Sequence, residues 1–355
     1  MSCPLTIALG MIGLSSLQDS YKPKVVVIGG GSGSSVLLSG LKSRTPNITA
    51  IVSMFDSGGS TGILREEFGY PPLGDIRQCL AALSGDDQKA TALRSAFDFR
   101  FSSSSSLKGH SVGNLILAAL TSALDTGITG AIQEMSAMLD ITGRVVPVTL
   151  ADAQLCAELA DGRVVIGESR IDLRGEETPP IRRVFLSRKV EANPDAIAAI
   201  TEADVVVLGP GDLYTSIVPN LLASGIPDAL RSTSAPVAYV CNVMTKLGET
   251  SDYDAARFTE TIFRYMGDRK LDYAVVNTQS IPSDVQARYA VEGAHPVDPD
   301  GAQLMNYTNK VLHEALLNLG PPVRHDGDRL ADLVIGIAET GSKMQSDQPG
   351  ITRSA

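Results

Sequence analysis

The sequence predicts an α/β fold with a doubly wound, mostly parallel sheet flanked by helices. Three observations predict it. Five apolar, β-branched runs recur: KVVVIGG (24–30), ITAIVSMF (48–55), DVVVLGP (204–210), PVAYVCNV (236–243) and LDYAVVN (271–277). Their hydrophobicity is continuous rather than alternating, the pattern of strands covered on both faces. Helical stretches stand between them, including VLLSGLKS (36–43), NLILAALTSAL (114–124) and GAIQEMSAMLD (130–140), and strands alternating with helices build βαβ units. The glycine-rich end of the first run gives the whole a Rossmann-like character.

Along the chain, residues 1–21 read as an N-terminal extension. PLTIALGMIGLSSL (4–17) is apolar, but no Lys or Arg precedes it and no small-residue cleavage site follows it. It is also too short to span a bilayer as a helix. No membrane span and a cytoplasmic location are therefore expected. Residues 22–340 form the main domain, within which SSSSS (102–106) reads as a linker loop rather than a lid. Residues 143–187 interrupt the βα rhythm: GRVVPVTL (143–150), AQLCAELADGRVVIGESRI (153–171) and IRRVFLS (181–187) are short strand-like runs joined by tight turns. DGR (161–163) between alternating segments is a hairpin signal, so this stretch is expected to be a small antiparallel β insertion. The polar residues 341–355 are expected to form a disordered tail.

Bulk properties bound the function. With 43% hydrophobic and 20% charged residues over 355 positions, the chain reads as globular and soluble. Its 30 basic and 40 acidic residues give a net charge of −10, which argues against a broad nucleic-acid surface. A small anion held by backbone amides remains open, because that device needs no net positive charge. Cys3, Cys79, Cys156 and Cys241 form no CxxC pair and the histidines no cluster, so a zinc site is not expected.

The polar signatures fall at strand ends. The first run closes in GGGSGSS, with Gly29, Gly30, Gly31, Ser32 and Gly33. The second closes in DSGGSTG, with Asp56, Ser57, Gly58, Gly59 and Ser60. GPGDLYTS follows the third run, with Gly209, Gly211, Asp212, Tyr214 and Thr215; NVMTKLGET follows the fourth, with Asn242 and Thr245. Ligands of open α/β sheets bind beyond the carboxyl ends of strands. Glycine lets backbone approach a ligand, hydroxyls add donors, and helix N-termini favour phosphate. Each motif alone has a second reading. GGGSGS departs from GxGxxG, because Ser34 replaces the third glycine. Asp56 suits a ribose contact, a metal ligand or an Asx turn. Thr215 and Ser216 suit helix capping or phosphate contact. His110 in GHSVGN, which also holds Asn114, is structural or catalytic, and Asp75 in PPLGDIRQ, beside Gly74, is a helix cap or a metal ligand. Their coincidence at one sheet edge is the informative part.

Together, VVVIGGGSGSSVLLSGL, DSGGSTGILREEFGYPPLGDIRQCLAALS, GHSVGNLILAAL, RRVFL, VLGPGDLYTSIVPNLL and YVCNVMTKLGET resemble the YvcK/CofD-like family over about residues 22–340. The resemblance implies one of two activities. YvcK-like members bind UDP-sugars and link carbon metabolism to cell-wall synthesis and cell shape, which implies a nucleotide or nucleotide-sugar ligand and regulatory protein partners. CofD itself is a Mg2+-dependent 2-phospho-L-lactate transferase acting on a deazaflavin acceptor. Carried over, Gly29, Gly30, Gly31 and Gly33 approach the diphosphate, Asp56 and Asp75 match acids that hold the metal in the transferase branch, and Asp56 is the catalytic candidate. Ser57 stands where the second of a paired set of acids is found, and SGGSTG replaces a tryptophan-containing stretch of true transferases. His295 stands in EGAHPVD where YvcK-like members usually carry arginine. The first expectation is accordingly the binding, regulatory protein, and the transferase is the alternative. The helix-covered sheet leaves room for a homo-oligomer.

Overall fold

A computed structural model describes residues 21–102, 106–175, 177–301 and 303–346. In chain order the first strands are β1 (Val25–Gly29), β2 (Ile48–Val52), β3 (Arg144–Pro147), β4 (Leu155–Leu159), β5 (Val164–Ile166) and β6 (Ile181–Leu186). They are followed by β7 (Val205–Leu208), β8 (Val237–Val240), β9 (Leu271–Asn277), β10 (Thr308–Glu314), β11 (Leu317–Asn318) and β12 (Arg324–His325). The helices of the first half are α1 (Gly31–Leu41), α2 (Gly59–Phe68), α3 (Gly74–Leu83), α4 (Gln88–Asp98), α5 (Val112–Ala123), α6 (Gly127–Met138) and α7 (Glu168–Asp172). Those of the second half are α8 (Pro194–Glu202), α9 (Val218–Leu221), α10 (Ile226–Ser232), α11 (Ala255–Tyr265), α12 (Ser283–Ala290) and α13 (Gly327–Ser346), with a π-turn at Leu213–Ile217.

The main sheet has seven strands in the order β10-β9-β8-β7-β1-β2-β3, and every pairing in it is parallel. All residues of β1, β2, β7 and β8 are buried, as continuous apolar runs require when helices cover both faces. Helix α1 packs Leu37, Leu38 and Leu41 into this core. Burying such side chains is worth about 2 kcal/mol each. Gly40 lets α1 approach α13 closely, because a Cβ there would lie 2.2 Å from the Gly327 carbonyl oxygen.

The five predicted runs are the five central strands, and two edge strands complete the sheet. β10 escaped because its sequence, TNKVLHE, is polar except at Val311 and Leu312, as befits a largely exposed edge strand. β3 corrects the insertion: the stretch from 143 to 150 is not antiparallel but pairs in parallel with β2 at the sheet's other edge. The antiparallel insertion therefore begins at β4, which pairs with β5 and β6. The Asp161–Gly162–Arg163 turn joins β4 to β5, with Gly162 at φ +87°.

Two further expectations meet the chain ends and the serine run. The polar stretch starting at 341 is in part helical, since α13 continues through Ser346. Its carboxyl-terminal remainder and residues 1–20 lie outside the described residues, as do three of the serines. The segment flanking those serines returns on itself, with the Phe101 N–H donating to the His110 carbonyl at 3.0 Å and the Gly109 N–H to the Phe101 carbonyl at 2.8 Å. Among the described residues no helix is long and apolar enough to cross a membrane.

Candidate functional site

Strand order reverses between β1 and β7, the topological switch point at which open α/β sheets bind ligands. The loops leaving these strands are locked to each other. The Gly209 N–H donates to the Ile28 carbonyl at 2.9 Å, and the Ser34 hydroxyl donates to the Pro210 carbonyl at 3.1 Å. Gly33 must lack a side chain, because a Cβ would lie 2.7 Å from the Pro210 carbonyl oxygen. Gly31 enters α1 at φ +68°, where a side chain would be strained. A cavity of about 290 Å³ results, floored by Gly30, Gly31, Ser32 and Gly33 at the start of α1. Gly211, Asp212 and Ser216 line it from the loop after β7, and Asn242, Thr245 and Lys246 from the segment after β8. Tyr289, Val323, Arg324 and His325 form the facing wall. The first N–H groups of a helix have no intrahelical acceptors, so the α1 terminus presents donors and a favourable dipole to an anion. Gly29 and Gly209 lie just beneath, where a Cβ on Gly29 would come 2.5 Å from the Ser34 hydroxyl and 3.7 Å from the Gly209 Cα.

Acids crowd the β2 side of this terminus. The Asp75 carboxylate accepts the Gly31 N–H at 2.9 Å, and it leaves so little room that a Cβ on Gly30 would clash with it. Burial first, and then the nearby Asp56 carboxylate, push the Asp75 carboxyl up to about 7. Asp56 turns the DSGG loop by accepting the Gly58 N–H at 2.8 Å, and Gly74 must be glycine because a Cβ would lie 2.6 Å from an Asp56 oxygen. Glu168 of α7 accepts the Ser57 N–H at 3.2 Å. Burial and the Asp56 charge hold the Glu168 carboxyl well above the usual carboxylate range. Gly59 starts α2 at φ +47°. Asp56 and Asp75, the two residues expected to hold a metal, thus come together with a third carboxyl from the insertion.

A second acid group meets Lys246 at the cavity wall. Its ammonium lies 2.6 Å from Asp212 and 3.7 Å from Glu249, and it also pairs with Asp172. Burial lowers the Lys246 pKa, but attraction to Glu249, Asp212 and Asp172 outweighs it, and the net shift is upward. Glu249 is buried and accepts the Tyr214 N–H at 2.6 Å, yet its Oε2 has no hydrogen-bond partner among the described residues. The oxygens of Asp172, Asp212 and Glu249 lie within 4.8 Å of one another, so the lysine ammonium is the cation that permits their approach.

Not every predicted site residue faces the cavity. Ser60, His110 and Asn114 form a buried polar knot between α2 and α5, with the Ser60 hydroxyl 2.9 Å from the His110 Nδ1 and the Asn114 amide donating to it at 3.2 Å. All three are buried. Ser111, beside His110, caps α5 by accepting the Asn114 N–H. Tyr214 points inward to Tyr253, their hydroxyls 2.8 Å apart, and the Thr215 hydroxyl is buried without a hydrogen-bond partner among the described residues; Ser216 is the hydroxyl of that turn that lines the cavity. Ser57 instead joins the insertion, its hydroxyl accepting the Ser169 N–H at 3.0 Å. Beyond Ser57 and Ser169 a separate cavity of about 780 Å³ opens between Phe55, Tyr70, Leu155 and Ile166.

Sequence reasoning missed Lys246, Glu249, Glu168, Asp172 and the whole facing wall. Lys246 and Glu249 stand inside the NVMTKLGET stretch and could have been singled out as charges in a strand-end loop. Glu168 and Asp172 belong to a segment read only as architecture. His325 gave no signal at all; burial pulls its imidazole down to about 4, so it is neutral at physiological pH, and its Nε2 has no partner among the described residues.

A family model described as 2-phospho-L-lactate transferase CofD matches residues 25–317. The chain belongs to the CofD family. Within this family its relatives are of the YvcK-like kind. The gluconeogenesis factor of Bacillus subtilis is 42% identical over 322 residues, covering 89% of this chain and 98% of that protein. A putative gluconeogenesis factor of Thermotoga maritima is 41% identical over 319 residues, 88% of this chain and 98% of that one. A crystal structure of a Bacillus halodurans protein superposes with a TM-score of 0.84 at 39% identity, covering 89% of this chain and all of that one. A second crystal structure, described as a member of the UPF0052 family from the same organism, gives a TM-score of 0.83.

Proposed function

We propose that this chain is a cytoplasmic nucleotide-sugar-binding regulatory protein, taking a UDP-sugar at the switch-point cavity and linking carbon metabolism to cell-wall synthesis and cell shape through protein partners. The observation that carries the reading is convergence: loops leaving β1, β7 and β8 line one cavity with the N-terminus of α1. A diphosphate is the group such a floor suits, held by backbone donors rather than by a net basic surface. The family's relatives named gluconeogenesis factor point the same way. Mg2+ fits the acid group, since hard carboxylate oxygens suit it and Asp56 and Asp75 repel each other without a cation. Asp56 and Asp75 would hold the ion, which would supply charge neutralisation for the diphosphate. Isothermal calorimetry with UDP-sugars tests the reading; absence of heat at millimolar ligand, with and without Mg2+, overturns it.

A second reading has its own observation in favour. A cavity lined by Phe55, Ser57, Tyr70, Leu155, Gly167 and Ser169 takes in the chain neighbours of Asp56 and Glu168, room that an acceptor would need. In that reading the chain is a CofD-like transferase. An acceptor hydroxyl oxygen forms a bond to phosphorus, the bond from that phosphorus to the bridging oxygen of the nucleoside monophosphate breaks, and the monophosphate leaves with the electron pair while the hydroxyl proton passes to solvent. Release of GMP from a guanosine-diphospho donor in the presence of a deazaflavin acceptor and Mg2+ distinguishes it. No GMP release under those conditions, alongside measurable UDP-sugar binding, favours the regulatory protein.

A further inference from the structure

We propose that the groove between α1, α3 and α4 is a second ligand site, separate from the switch-point cavity, that takes a phosphate group carried by a small metabolite. The groove has a volume of about 670 Å³. Its charged lining is Lys42, Arg77, Arg94 and Arg324 against Asp86 and Asp98, a local excess of positive charge in a chain whose net charge is −10. Two of these cations are committed to the protein interior: the side chains of Lys42 and Arg77 are each only 9% exposed. Lys42 is balanced by the Ser84 carbonyl and by Asp86, both at 2.6 Å. Arg94 reaches the same Asp86 only at 3.5 Å and otherwise donates to the Ser84 hydroxyl at 3.2 Å, so one carboxylate serves two cations.

Arg77 is the informative residue. Asp98 is its single ion-pair partner among the described residues, and its Nε is buried with no hydrogen-bond acceptor. An unpaired guanidinium N–H is costly in the interior, so the protein's own acceptors leave this cation incompletely answered. Arg324, at the mouth of the groove, is exposed and its side chain has no hydrogen-bond or ion-pair partner among the described residues. The α1 serines Ser32, Ser35 and Ser39 also line the groove, with the Ser35 hydroxyl donating to the Gly31 carbonyl at 2.9 Å and the Ser39 hydroxyl to the Ala82 carbonyl at 3.4 Å. Guanidinium forks gathered around one groove suit a tetrahedral group with three charged oxygens, which accepts more hydrogen bonds than a planar carboxylate can. Ser32 and Arg324 line both this groove and the nucleotide cavity, so the two sites share the first turn of α1 as a wall.

The test uses inorganic pyrophosphate as probe, titrated calorimetrically into the full chain and three variants. Arg94 lines the groove and not the cavity, Ser216 the cavity and not the groove, so Arg94→Glu and Ser216→Ala separate the two sites, and Arg94→Gln serves if Arg94→Glu fails to fold. Expected is wild-type binding that weakens about tenfold in Arg94→Glu or Arg94→Gln, the loss of one charge-assisted contact, and stays within about twofold in Ser216→Ala. Several results overturn the proposal: no binding up to about 10 mM pyrophosphate, weakening in Ser216→Ala but not in the Arg94 variants, or citrate binding as tightly as pyrophosphate. Failure of UDP-sugar binding with Arg94-dependent pyrophosphate binding intact sinks the nucleotide reading alone, and UDP-sugar binding with no Arg94-dependent pyrophosphate binding sinks this one alone.

Discussion

Asp75 is the residue at which folding and ligand chemistry conflict most visibly. Its carboxyl is raised from 3.8 to about 7 in the folded chain, so the folded state holds a proton that the unfolded state releases near pH 4. The associated stability is full below the unfolded value and is lost as pH rises through the folded one. Between pH 5 and pH 8 the loss amounts to about 3 kcal/mol, from two pH units at about 1.4 kcal/mol each before the folded carboxyl ionises. Asp75 is half-buried rather than fully enclosed, which makes this an upper bound. Asp75→Asn keeps an oxygen to accept the Gly31 N–H but carries no charge at any pH. Thermal unfolding in chelator therefore predicts a variant whose advantage over wild type grows from pH 5 to pH 8 by up to about 3 kcal/mol, roughly 4 °C for a chain of this length. Added Mg2+ at pH 8 should raise the wild-type midpoint and leave the variant unmoved. A variant less stable than wild type at pH 8, or an offset equal at both pH values, would refute the assignment of an uncompensated acid pair.

Further predictions concern single contacts. Gly33→Ala drives a Cβ into the Pro210 carbonyl and is expected to cost about 1–3 kcal/mol of stability while weakening UDP-sugar binding; denaturant unfolding and calorimetry report the two effects separately. Lys246→Met leaves Asp172, Asp212 and Glu249 facing one another without a cation and should lower unfolding free energy by about 2–3 kcal/mol, most strongly at low salt, as urea titrations at two ionic strengths would show. Ser60→Ala orphans the His110 Nδ1 and the Asn114 amide, a loss of about 1–3 kcal/mol, yet it should leave ligand affinity unchanged, because the knot lies away from the switch-point cavity.

The central strands were legible because burial on both faces forces an unbroken apolar run, and VVVIG, ITAIV, VVVL, VAYV and LDYAVV carry that signature. The edges were not, for opposite reasons. β10 is mostly polar, with only Val311 and Leu312 apolar, and RVVP of β3 sits next to a genuine antiparallel insertion whose turns drew it in. The glycine floor was readable from residue type, since close approach of Gly33 to Pro210 and the positive φ of Gly31 each demand glycine. Hydroxyl and histidine orientation was not readable. Thr215 and Ser216 are adjacent and chemically alike, and only the π-turn decides which one is turned to the cavity. Lys246 and its three acids come from α7 and two strand-end segments, a meeting that local sequence cannot encode.

The most direct measurement is a crystal structure of the full chain soaked with a UDP-sugar and Mg2+. Diphosphate density is expected on the Gly30–Gly33 backbone, within reach of Gly211, Ser216 and Thr245. Density lodged instead in the larger cavity of about 850 Å³ between Tyr253, Arg257 and Tyr307, with the glycine floor bare, would contradict it.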